Sequence, residues 1–389
     1  MEFNLEPELR LLRAERLASD GCAVARAGDG SVVFVPGLLP GETALVAVTE
    51  RKRKYWRGEA RQLVEPAPER QEPRCPLFGR CGGCQLQHLS YPASLYWKRR
   101  WVGEALSRIG GLAAEVAPVA AAVSPWNYRN KAVLHWDGAN LGFFAPGSRT
   151  VTACADCALL SPEMNAALPA LRAALAGEKA GPVTLRRGAA GALASSLPGW
   201  ADVLTVEILG LSFQVALASF LQVNFAQTEI LYGIVREWAE LSGREEVWDL
   251  YSGVGTLALL LAGRAARVTG VEECPRAVKD ARANARRNGI NNARFLVGQA
   301  EKVLSREFAA AHRPDLAVVD PPRAGLAPAV TEALLAAAPR RLIYVSCDAG
   351  TLARDAGRLS RFYRLAAVRP VDMFCWCTAV ESVALFTRE

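Results

Sequence analysis

The first 66 residues carry short apolar runs that are separated by turns. The runs at 31–35 and 43–48 are rich in valine and alanine, and turns that contain glycine or proline lie at 28–30 and 40–41. Short strands broken by such turns are typical of a small β-barrel. We therefore predict a barrel over residues 1–66, bounded by the proline-rich segment that follows it.

From about residue 216 the pattern changes to apolar strands that alternate with helical segments. One predicted helix is well marked, because Pro275 suits a first helical turn and Gly289 suits a C-terminal cap. This order predicts a doubly wound α/β domain over residues 216–389, which binds ligands at the carboxyl ends of its strands. The predicted strands are 246–250, 267–271, 294–297, 316–319 and 342–346.

Residues 74–215 show neither pattern. They mix short strands such as 131–136 with a cysteine cluster and a stretch rich in glycine and alanine near 177–200. We predict a separate central domain of mixed α+β structure here. A chain of 389 residues fits two or three domains better than one.

Composition narrows the class of protein. No run approaches the roughly 18 consecutive apolar residues that a membrane helix needs. The N-terminal segment also lacks the basic start and apolar core of a secretory signal. We expect a soluble protein in the reducing cytoplasm, with no membrane contact. The ten cysteines are then metal ligands, nucleophiles or small buried side chains rather than disulfides.

The positive charge is concentrated near aromatic side chains. Net charge is +7, and five cations between 51 and 57 surround Tyr55 and Trp56, while Lys98, Arg99 and Arg100 precede Trp101. Cations that neutralise phosphates beside rings that stack on bases suit single-stranded or looped RNA. A solvated charged loop with two packed aromatic rings fits the first cluster equally well.

A glycine-containing loop follows the first strand of the α/β domain. It reads Asp249 to Thr256 with Gly253 and Gly255, and Glu272 ends the next strand. The glycines allow close approach to a nucleotide-like ligand, and the carboxylate suits ribose hydroxyls. An NAD-linked oxidoreductase would carry the same features, so the loop alone leaves both classes open.

Two further motifs end strands of the same domain. Asp320 begins an AspProProArg segment whose prolines favour a rigid extended loop. Cys347 follows the strand 342–346 and precedes a predicted helix, whose N-terminus would favour a thiolate. Both residues should therefore lie at the ligand-binding edge of the sheet.

Three cysteines lie within ten residues. Cys75, Cys81 and Cys84 are separated by glycines, and Cys154 or Cys157 offers a fourth thiolate. Four cysteines indicate zinc or an iron–sulfur cluster, and the lack of two close pairs favours iron–sulfur. For Cys375 and Cys377 we expect burial rather than a second metal site.

The order of these motifs resembles the RNA 5-methyluridine methyltransferase family over essentially the whole chain. A small TRAM- or OB-like barrel is followed by the CysGlyGlyCys cluster, SerPheLeuGlnValAsn at 219–224, AspLeuTyrSerGlyValGly, AspProProArg, ValSerCysAsp and a C-terminal ValGlu. The resemblance implies a class I methyltransferase domain that uses S-adenosylmethionine. It also implies a [4Fe-4S] cluster and RNA as the substrate, and we expect the protein to be a monomer.

The resemblance assigns roles to residues of this chain. Cys347 would be the covalent nucleophile and Glu381 the general base, with Phe220 near the target base. The residues that would contact S-adenosylmethionine are Gln222, Tyr251, Glu272, Gln299 and Asp320. The residues that would hold the cluster are Cys75, Cys81, Cys84 and Cys157. Within the family, iron–sulfur cysteines are more similar to the ribosomal RNA enzymes than to the bacterial transfer RNA enzymes. We therefore expect ribosomal RNA as the substrate, and transfer RNA is the alternative.

The chain departs from the family near its C-terminus. Relatives read AspMetPhePro and then two histidines before the glutamate, whereas this chain reads Asp372 to Phe374 followed by Cys375, Trp376, Cys377, Thr378 and Ala379. The spacing to Glu381 is unchanged. The surroundings of the base are therefore expected to differ from those in the relatives. A non-catalytic RNA-binding protein is one remaining alternative. An amino-group methyltransferase is another, but it would be expected to read AsnProProTyr where this chain reads AspProProArg.

Overall fold

A computed structural model describes residues 8–309 and 313–388, and these fall into two compact units. The first unit comprises residues up to Trp101 together with Phe144–Thr152 and Trp376–Thr378. The second comprises Val102–Phe143, Ala153–Cys375 and Ala379–Glu389. None of the described helices is both long enough and apolar enough to cross a bilayer.

The predicted barrel is present in the first unit. Its strands are β1 (Leu9–Leu17), β2 (Ala23–Arg26), β3 (Val32–Val35), β4 (Thr43–Arg51) and β5 (Trp56–Glu65). They close in the order β1-β2-β3-β5-β4, and only β3 and β5 pair in parallel. Gly58 is required for closure, because a Cβ there would lie 2.4 Å from Val46 Cγ1 in the barrel core.

A second sheet occupies the middle of the chain. The helix α1 (Tyr91–Arg108) precedes it, and its strands have the order β10-β9-β6-β7-β8. The helix α2 (Pro162–Ala174) packs its apolar face on this sheet, with Met164 and Leu168 completely buried. The strands are β6 (Lys131–Trp136), β7 (Leu141–Phe144), β8 (Val151–Ala153), β9 (Gly181–Arg187) and β10 (Leu193–Ser195). A hairpin of β11 (Val203–Ile208) and β12 (Leu211–Ala216) follows.

The α/β part of the second unit is a seven-stranded sheet of order β15-β14-β13-β16-β17-β19-β18. The first five of these strands are mutually parallel, and β19 is antiparallel to both of its neighbours. The strands are β13 (Glu246–Leu250), β14 (Arg267–Glu272), β15 (Ala293–Val297), β16 (Leu316–Val319), β17 (Arg341–Ser346), β18 (Arg364–Val371) and β19 (Glu381–Thr387). The helices are α3 (Phe225–Ala239), α4 (Thr256–Ala262), α5 (Pro275–Arg287), α6 (Ala300–Ala309), α7 (Pro328–Ala337) and α8 (Ala349–Leu359).

The five predicted α/β strands are therefore confirmed, each to within one residue at either end. The strands β13, β16 and β17 are buried along nearly their whole length, as expected for a parallel sheet covered on both faces. The topology reverses direction beside β13, where neighbouring crossovers lead to opposite sides. In this fold the ligand cleft forms at such a point.

Candidate active site

The carboxyl edge of the seven-stranded sheet borders a cavity of about 730 Å³. The strands β13 to β17 end there, and β19 begins there because it runs antiparallel. The pairing of Ser346 with Ser382 brings the start of β19, Glu381, to the edge at which Cys347 follows β17. Every residue predicted to bind the methyl donor or to act in catalysis lines this cavity: Gln222, Tyr251, Glu272, Gln299, Asp320, Cys347 and Glu381.

The loop after β13 fixes the carboxylate of Glu272. The backbone N–H of Gly253 donates to Glu272 Oε2 at 3.0 Å, and that of Cys274 donates to Oε1 at 2.9 Å. Each oxygen keeps a lone pair for a ligand hydroxyl. Gly255, in contrast, is needed for packing: its φ is +86°, and a Cβ at this position would lie 2.9 Å from Phe295 Cζ.

Gln222 is held on the opposite side of this loop by the segment that leads into α3. Asn130 Nδ2 donates to the Gln222 carbonyl at 3.1 Å, and Asn224 caps α3 by accepting from the Gln227 N–H at 3.3 Å. Gln222 itself is buried. Phe220 also lines the cavity, with 69% of its surface exposed. An exposed aromatic ring that lines a cavity suits stacking on a planar ligand.

Three carboxyl groups lie close together at this edge. Asp249 and Glu381 are buried and Asp320 is half-buried. Burial and then the charge of Asp320 raise the pKa of Asp249 to about 8. The same two causes raise the pKa of Glu381. Glu381 Oε1 has no hydrogen-bond partner among the described residues. A carboxyl group with a raised pKa and a free oxygen is well suited to accept a proton near neutral pH.

We expected a helix N-terminus to favour the Cys347 thiolate, but burial and nearby carboxylates oppose the thiolate more strongly in the free site. Burial, followed by the charge of Glu381, raises the pKa of the Cys347 thiol. The N-terminus of α8 is occupied by its own cap, because Asp348 Oδ1 accepts from the Thr351 N–H at 2.8 Å. A carboxylate at this position opposes a second negative charge nearby.

Arg323 is the cation that sequence reasoning did not select. It lines the cavity, and its charge lowers the pKa values of both Cys347 and Glu381, although burial outweighs it at each. It ends the AspProProArg motif, so the signal was present in the sequence. The motif did not reveal that this one guanidinium group lowers the pKa of both the Cys347 thiol and the Glu381 carboxyl group.

Asp355 fastens the loop that carries Arg323. Its carboxylate is fully buried in α8 and accepts from the Leu326 N–H at 2.8 Å and from the Tyr344 hydroxyl at 2.9 Å. Arg354 donates to both of its oxygens, at 2.9 and 3.1 Å, and donates further to the Ala324 carbonyl at 2.8 Å. The helix that follows Cys347 is thereby tied to the loop that follows Asp320.

The structure does not assemble the expected metal site. Over residues 8–309 and 313–388, no three His, Cys, Asp or Glu side chains are grouped in a way that holds a metal ion. In the first unit Cys81 Sγ accepts from the Gly83 N–H at 3.4 Å. In the second, a hydrogen bond from Cys154 is the largest cause that lowers the pKa of Cys157, to about 6. Cys75, Cys81 and Cys84 belong to the first unit and Cys157 to the second.

The residues that replace the family's two histidines pack within the protein. Trp376 is buried with φ 64°, and its carbonyl accepts from the N–H groups of Gln85 and Leu86, both at 3.0 Å. Cys375 is buried, as expected, and its thiol lies 3.4 Å from the Asp372 carbonyl. Cys377 is half-buried and donates to the Gly83 carbonyl at 3.0 Å.

The two basic clusters differ in kind. On the barrel, Arg51 and Arg10 lie over the Trp56 ring, 4.5 and 5.0 Å from its centroid, so this ring is already covered by cations. Arg53 and Lys54 are exposed and form no salt bridge with a described residue.

The prediction for the second basic cluster is wrong at Lys98 and Trp101. Both side chains are buried, and Trp101 Nε1 donates to the Leu17 carbonyl at 2.9 Å. Trp101 is therefore part of a core and does not present a ring to a base. Arg99 and Arg100 are exposed, and Arg100 lies over Trp97 at 5.3 Å.

Comparison with known proteins agrees with this site. Residues 200–389 match the tRNA (uracil-5-)-methyltransferase family, and residues 12–60 match the TRAM domain. An uncharacterized RNA methyltransferase of Halalkalibacterium halodurans is 34% identical, and the match covers 95% of each chain. One of Thermosynechococcus vestitus is 35% identical over 97% of each chain.

A solved structure extends the similarity to the whole fold. The Pyrococcus abyssi tRNA (uracil-54, C5)-methyltransferase, in complex with S-adenosyl-L-homocysteine, is similar with a TM-score of 0.77 and 26% identity. The match covers 97% of this chain and 99% of that one. The full-length identity to RNA methyltransferases, the two matched domains and the cavity at the sheet edge agree. The chain therefore belongs to the S-adenosylmethionine-dependent RNA (uracil-5-)-methyltransferase family.

Proposed function

We propose that the protein transfers a methyl group to carbon 5 of a uridine in RNA, with Cys347 as covalent nucleophile and Glu381 as general base. The observation that carries this proposal is the register of β17 and β19, which brings a thiol and a carboxyl group to one edge of the cavity. An oxidoreductase would need no such pair, and family membership removes that alternative.

Each residue has one chemical task. The Cys347 thiolate adds to carbon 6, which moves the π electrons of the 5,6 double bond toward carbon 5 and the carbon 4 carbonyl oxygen. Carbon 5 then forms a bond to the methyl group of S-adenosylmethionine, whose sulfonium bond breaks. Glu381 removes the proton from carbon 5, the double bond re-forms and the thiolate leaves carbon 6. The uridine must leave its stack to reach these groups, and Phe220 offers it a ring to stack on.

The donor would occupy the side of the cavity formed by β13, β14 and β15. Glu272 is held by two backbone N–H groups with lone pairs left for the ribose hydroxyls. Tyr251 and Gln299 follow β13 and β15, and Asp320 follows β16, which neighbours β13 in the sheet. Gln222 approaches from the segment before α3. This assignment predicts that loss of the Glu272 carboxylate weakens donor binding while RNA binding is kept.

The order in which Cys347 and Glu381 act gives the decisive test. Cys347→Ala forms no bond to the uracil, so it should give neither an adduct nor a methylated product. Glu381→Gln keeps the thiol but loses the base, so methylated RNA should stay attached to Cys347. On a denaturing gel with a labelled methyl donor, Glu381→Gln should show a retarded, labelled protein–RNA band, and Cys347→Ala should show none.

Matched variants control for loss of a thiol or a carboxylate in general. Cys274→Ala removes an exposed thiol that does not line the cavity and keeps the backbone N–H that donates to Glu272. Glu207→Gln alters an exposed carboxylate outside the cavity, and both variants should behave like the parent enzyme. Normal turnover by Glu381→Gln would mean that another group removes the proton. Methylation by Cys347→Ala would overturn the covalent mechanism.

The class of RNA is proposed from the cysteine pattern. We assign ribosomal RNA as the substrate, and transfer RNA is the second candidate because the similar Pyrococcus abyssi enzyme is named for tRNA. In this proposal the enzyme is a cytoplasmic monomer, residues 1–66 bind RNA and residues 216–389 transfer the methyl group. Mapping 5-methyluridine in both RNA classes from a deletion strain decides between them, since only the true substrate loses the modification.

A [4Fe-4S] cluster on Cys75, Cys81, Cys84 and Cys157 is proposed from the family resemblance of these cysteines, together with the close spacing of the first three. Protein purified without oxygen should then be brown and contain iron. Replacing Cys375 and Cys377 together with serine should leave the iron content unchanged. Colourless protein that contains zinc, or none of either metal, would refute the cluster.

A further inference from the structure

The outward face of α5 concentrates positive charge. The helix contains five cations and one carboxylate, so its 13 residues carry a net charge of +4, whereas the whole chain carries +7. Arg276, Lys279 and Arg286 are exposed, and their spacing of three and then seven residues places them on one side of the helix. We call these three cations the basic row. The row is about 15 Å long, because an α-helix rises about 1.5 Å per residue.

No carboxylate among the described residues neutralises the basic row. None of its three side chains forms a salt bridge or a hydrogen bond with another described residue; in chain order, the salt bridges pass from Arg267 to Arg294. Asp280, the one carboxylate of the helix, is half-buried and forms no salt bridge with the row. Glu272 and Glu273, which precede the helix, line the cavity instead. The row therefore lacks a counter-charge within the described part of the chain.

The stability of the helix does not account for the whole row. Arg286 lies in the last turn, where a cation interacts favourably with the helix dipole. Arg276 lies in the first turn, where a cation is unfavourable, and that turn contains no acidic residue. Lys279 follows Arg276 by three residues, and like charges at such spacings destabilise a helix. The first two cations of the row therefore cost stability, and a bound anion would offset this cost.

The opposite face of α5 is fixed to the α/β part of the chain, so the basic row is held in place. Asn284 is fully buried, accepts from the Gln214 N–H at 2.8 Å and donates to the Val254 carbonyl at 3.1 Å. Arg282, on the flank of the helix, donates to the Phe295 carbonyl at 2.6 Å. The surface is thus presented without reorganisation of the helix.

The basic row begins beside the active-site cavity. α5 starts three residues after Glu272, which lines the cavity. The helix leads from the end of β14 to the start of β15, and these two strands are parallel. It therefore runs from the carboxyl edge of the sheet, where the cavity lies, to the opposite edge. Arg276 and Lys279 lie at the cavity end of the helix, and Arg286 lies at the far end.

The chemistry of the row fits the backbone of a nucleic acid. Cations along one line can neutralise successive phosphates of a strand. An anionic membrane surface also attracts cations, but helices that bind one insert large apolar side chains beside them. α5 buries its apolar face instead, and none of the exposed large apolar residues of the described chain lies on it.

We propose that the basic row binds backbone phosphates of the substrate RNA next to the nucleotide that enters the cavity. This inference rests on the proposed function, because it takes RNA as the substrate. Arg276 and Lys279 bind phosphates close to the cavity, and Arg286 contacts the strand farther from it. Phosphate contacts orient the RNA and add affinity without reading its sequence, so the choice of uridine is left to the cavity. The phosphates also neutralise the cations that destabilise the start of the helix.

The double variant Arg276→Gln/Lys279→Gln tests the cavity end of the row. It removes two phosphate contacts, so the slope of log K against log salt should become shallower by about 1.4 for a single-stranded RNA oligonucleotide. Near about 0.15 M salt, two such contacts correspond to a loss of RNA affinity of about tenfold. The loss should be the same when every uridine of the oligonucleotide is replaced by cytidine. Binding of S-adenosylmethionine should not change, and the melting temperature should not fall, because unfavourable charges are removed.

Two controls separate this surface from a general loss of charge. Arg361→Gln/Arg364→Gln removes two exposed cations at the opposite edge of the same sheet, where Arg364 begins β18. This variant lowers the net charge equally and should keep the RNA affinity and salt slope of the wild type. Arg276→Lys/Lys279→Arg keeps both charges of the row and should also bind RNA like the wild type.

The outcomes distinguish this inference from the proposed function. Equal RNA affinity and salt slope in the two glutamine double variants would overturn it, whether or not the enzyme methylates uridine. Wild-type RNA affinity together with weaker binding to phosphatidylserine vesicles would assign the row to a lipid surface and refute the RNA assignment. Absence of uridine methylation by the wild type would refute the proposed function. RNA binding through the row is measured without methyl transfer, so it is tested on its own.

Discussion

The carboxylate of Asp355 connects the two loops of the active site, and Asp355→Asn isolates its contribution. Its Oδ1 accepts from Arg354 Nε and from Arg358 Nη1, at 2.9 and 3.2 Å. Its Oδ2 accepts from the Leu326 N–H, the Tyr344 hydroxyl and Arg354 Nη2. Asparagine has the same shape, but one of its terminal atoms becomes an NH₂ group. In either orientation this group faces at least two donors.

The size of the effect follows from these contacts. Either orientation leaves two or more buried donors without an acceptor, at about 1–3 kcal/mol each, and the nearby guanidinium groups lose their counter-charge. Removing one member of a buried ionic network typically costs about 3–5 kcal/mol, and we expect a loss in that range. For the unit that contains Asp355 this corresponds to a fall in melting temperature of about 10 °C.

Catalysis should suffer in a specific way. Asp355 and Arg354 bind the backbone of Leu326 and Ala324 to α8. Loss of these hydrogen bonds frees the loop that presents Arg323 and Gly325 to the cavity. Misplacement of cavity groups by about 1 Å is enough to lower kcat/KM by about 10- to 100-fold. Well below the new melting temperature, steady-state kinetics with labelled methyl donor and RNA should show this decrease.

The control is Asp202→Asn, an isosteric change of the same charge at an exposed position. It should alter neither melting temperature nor kinetics. Wild-type stability in Asp355→Asn would mean that the five hydrogen bonds are replaced by water at little cost. Lower stability with unchanged kcat/KM would show that the loop keeps its position without this carboxylate, and would refute the coupling argued above.

Three further results are expected. Burial raises the pKa of Asp249 to about 8, so the folded state keeps a proton that the unfolded state has released above about pH 4. The free energy of unfolding should therefore fall as pH rises from 5 to 8. Urea unfolding of Asp249→Asn should show a weaker fall over the same range. Gly255→Ala should lower the melting temperature, because the position has φ +86° and no room for a Cβ. Replacing the unpaired Arg53 and Lys54 with glutamine should reduce the salt slope of RNA binding more than replacing Lys52, which lies 3.1 Å from a carboxylate.

The strands of the α/β domain could be predicted because their signals are local. A buried parallel strand is apolar along its whole length, so 246–250 and 316–319 were delimited to the residue. The helix from Pro275 to Arg287 was recognised from its proline and from the glycine beyond its end. The antiparallel strands β18 and β19 were not predicted, although β19 delivers Glu381. Their pairing is set by partners more than ten residues away, which a local pattern does not contain.

Burial separated the correct from the incorrect predictions about charged residues. Lys98 and Trp101 have the same local composition as Lys52 and Trp56, yet Lys98 and Trp101 are buried, whereas Lys52 is exposed and Trp56 is half-buried. A sequence window cannot distinguish these cases, because burial depends on which element packs on top.

The charges around Cys347 explain how its thiol could ionise for the proposed reaction although ionisation is unfavourable in the free cavity. In the free cavity burial raises the pKa of the thiol, and the nearby carboxyl groups raise it further, with Arg323 as the opposing cation. A positive charge brought into this cavity favours the ionised form of the thiol and of Glu381 alike. The sulfonium group of the methyl donor carries such a charge. In the proposed mechanism, with Cys347 as nucleophile and Glu381 as base, both groups are therefore ionised more readily once the donor is bound.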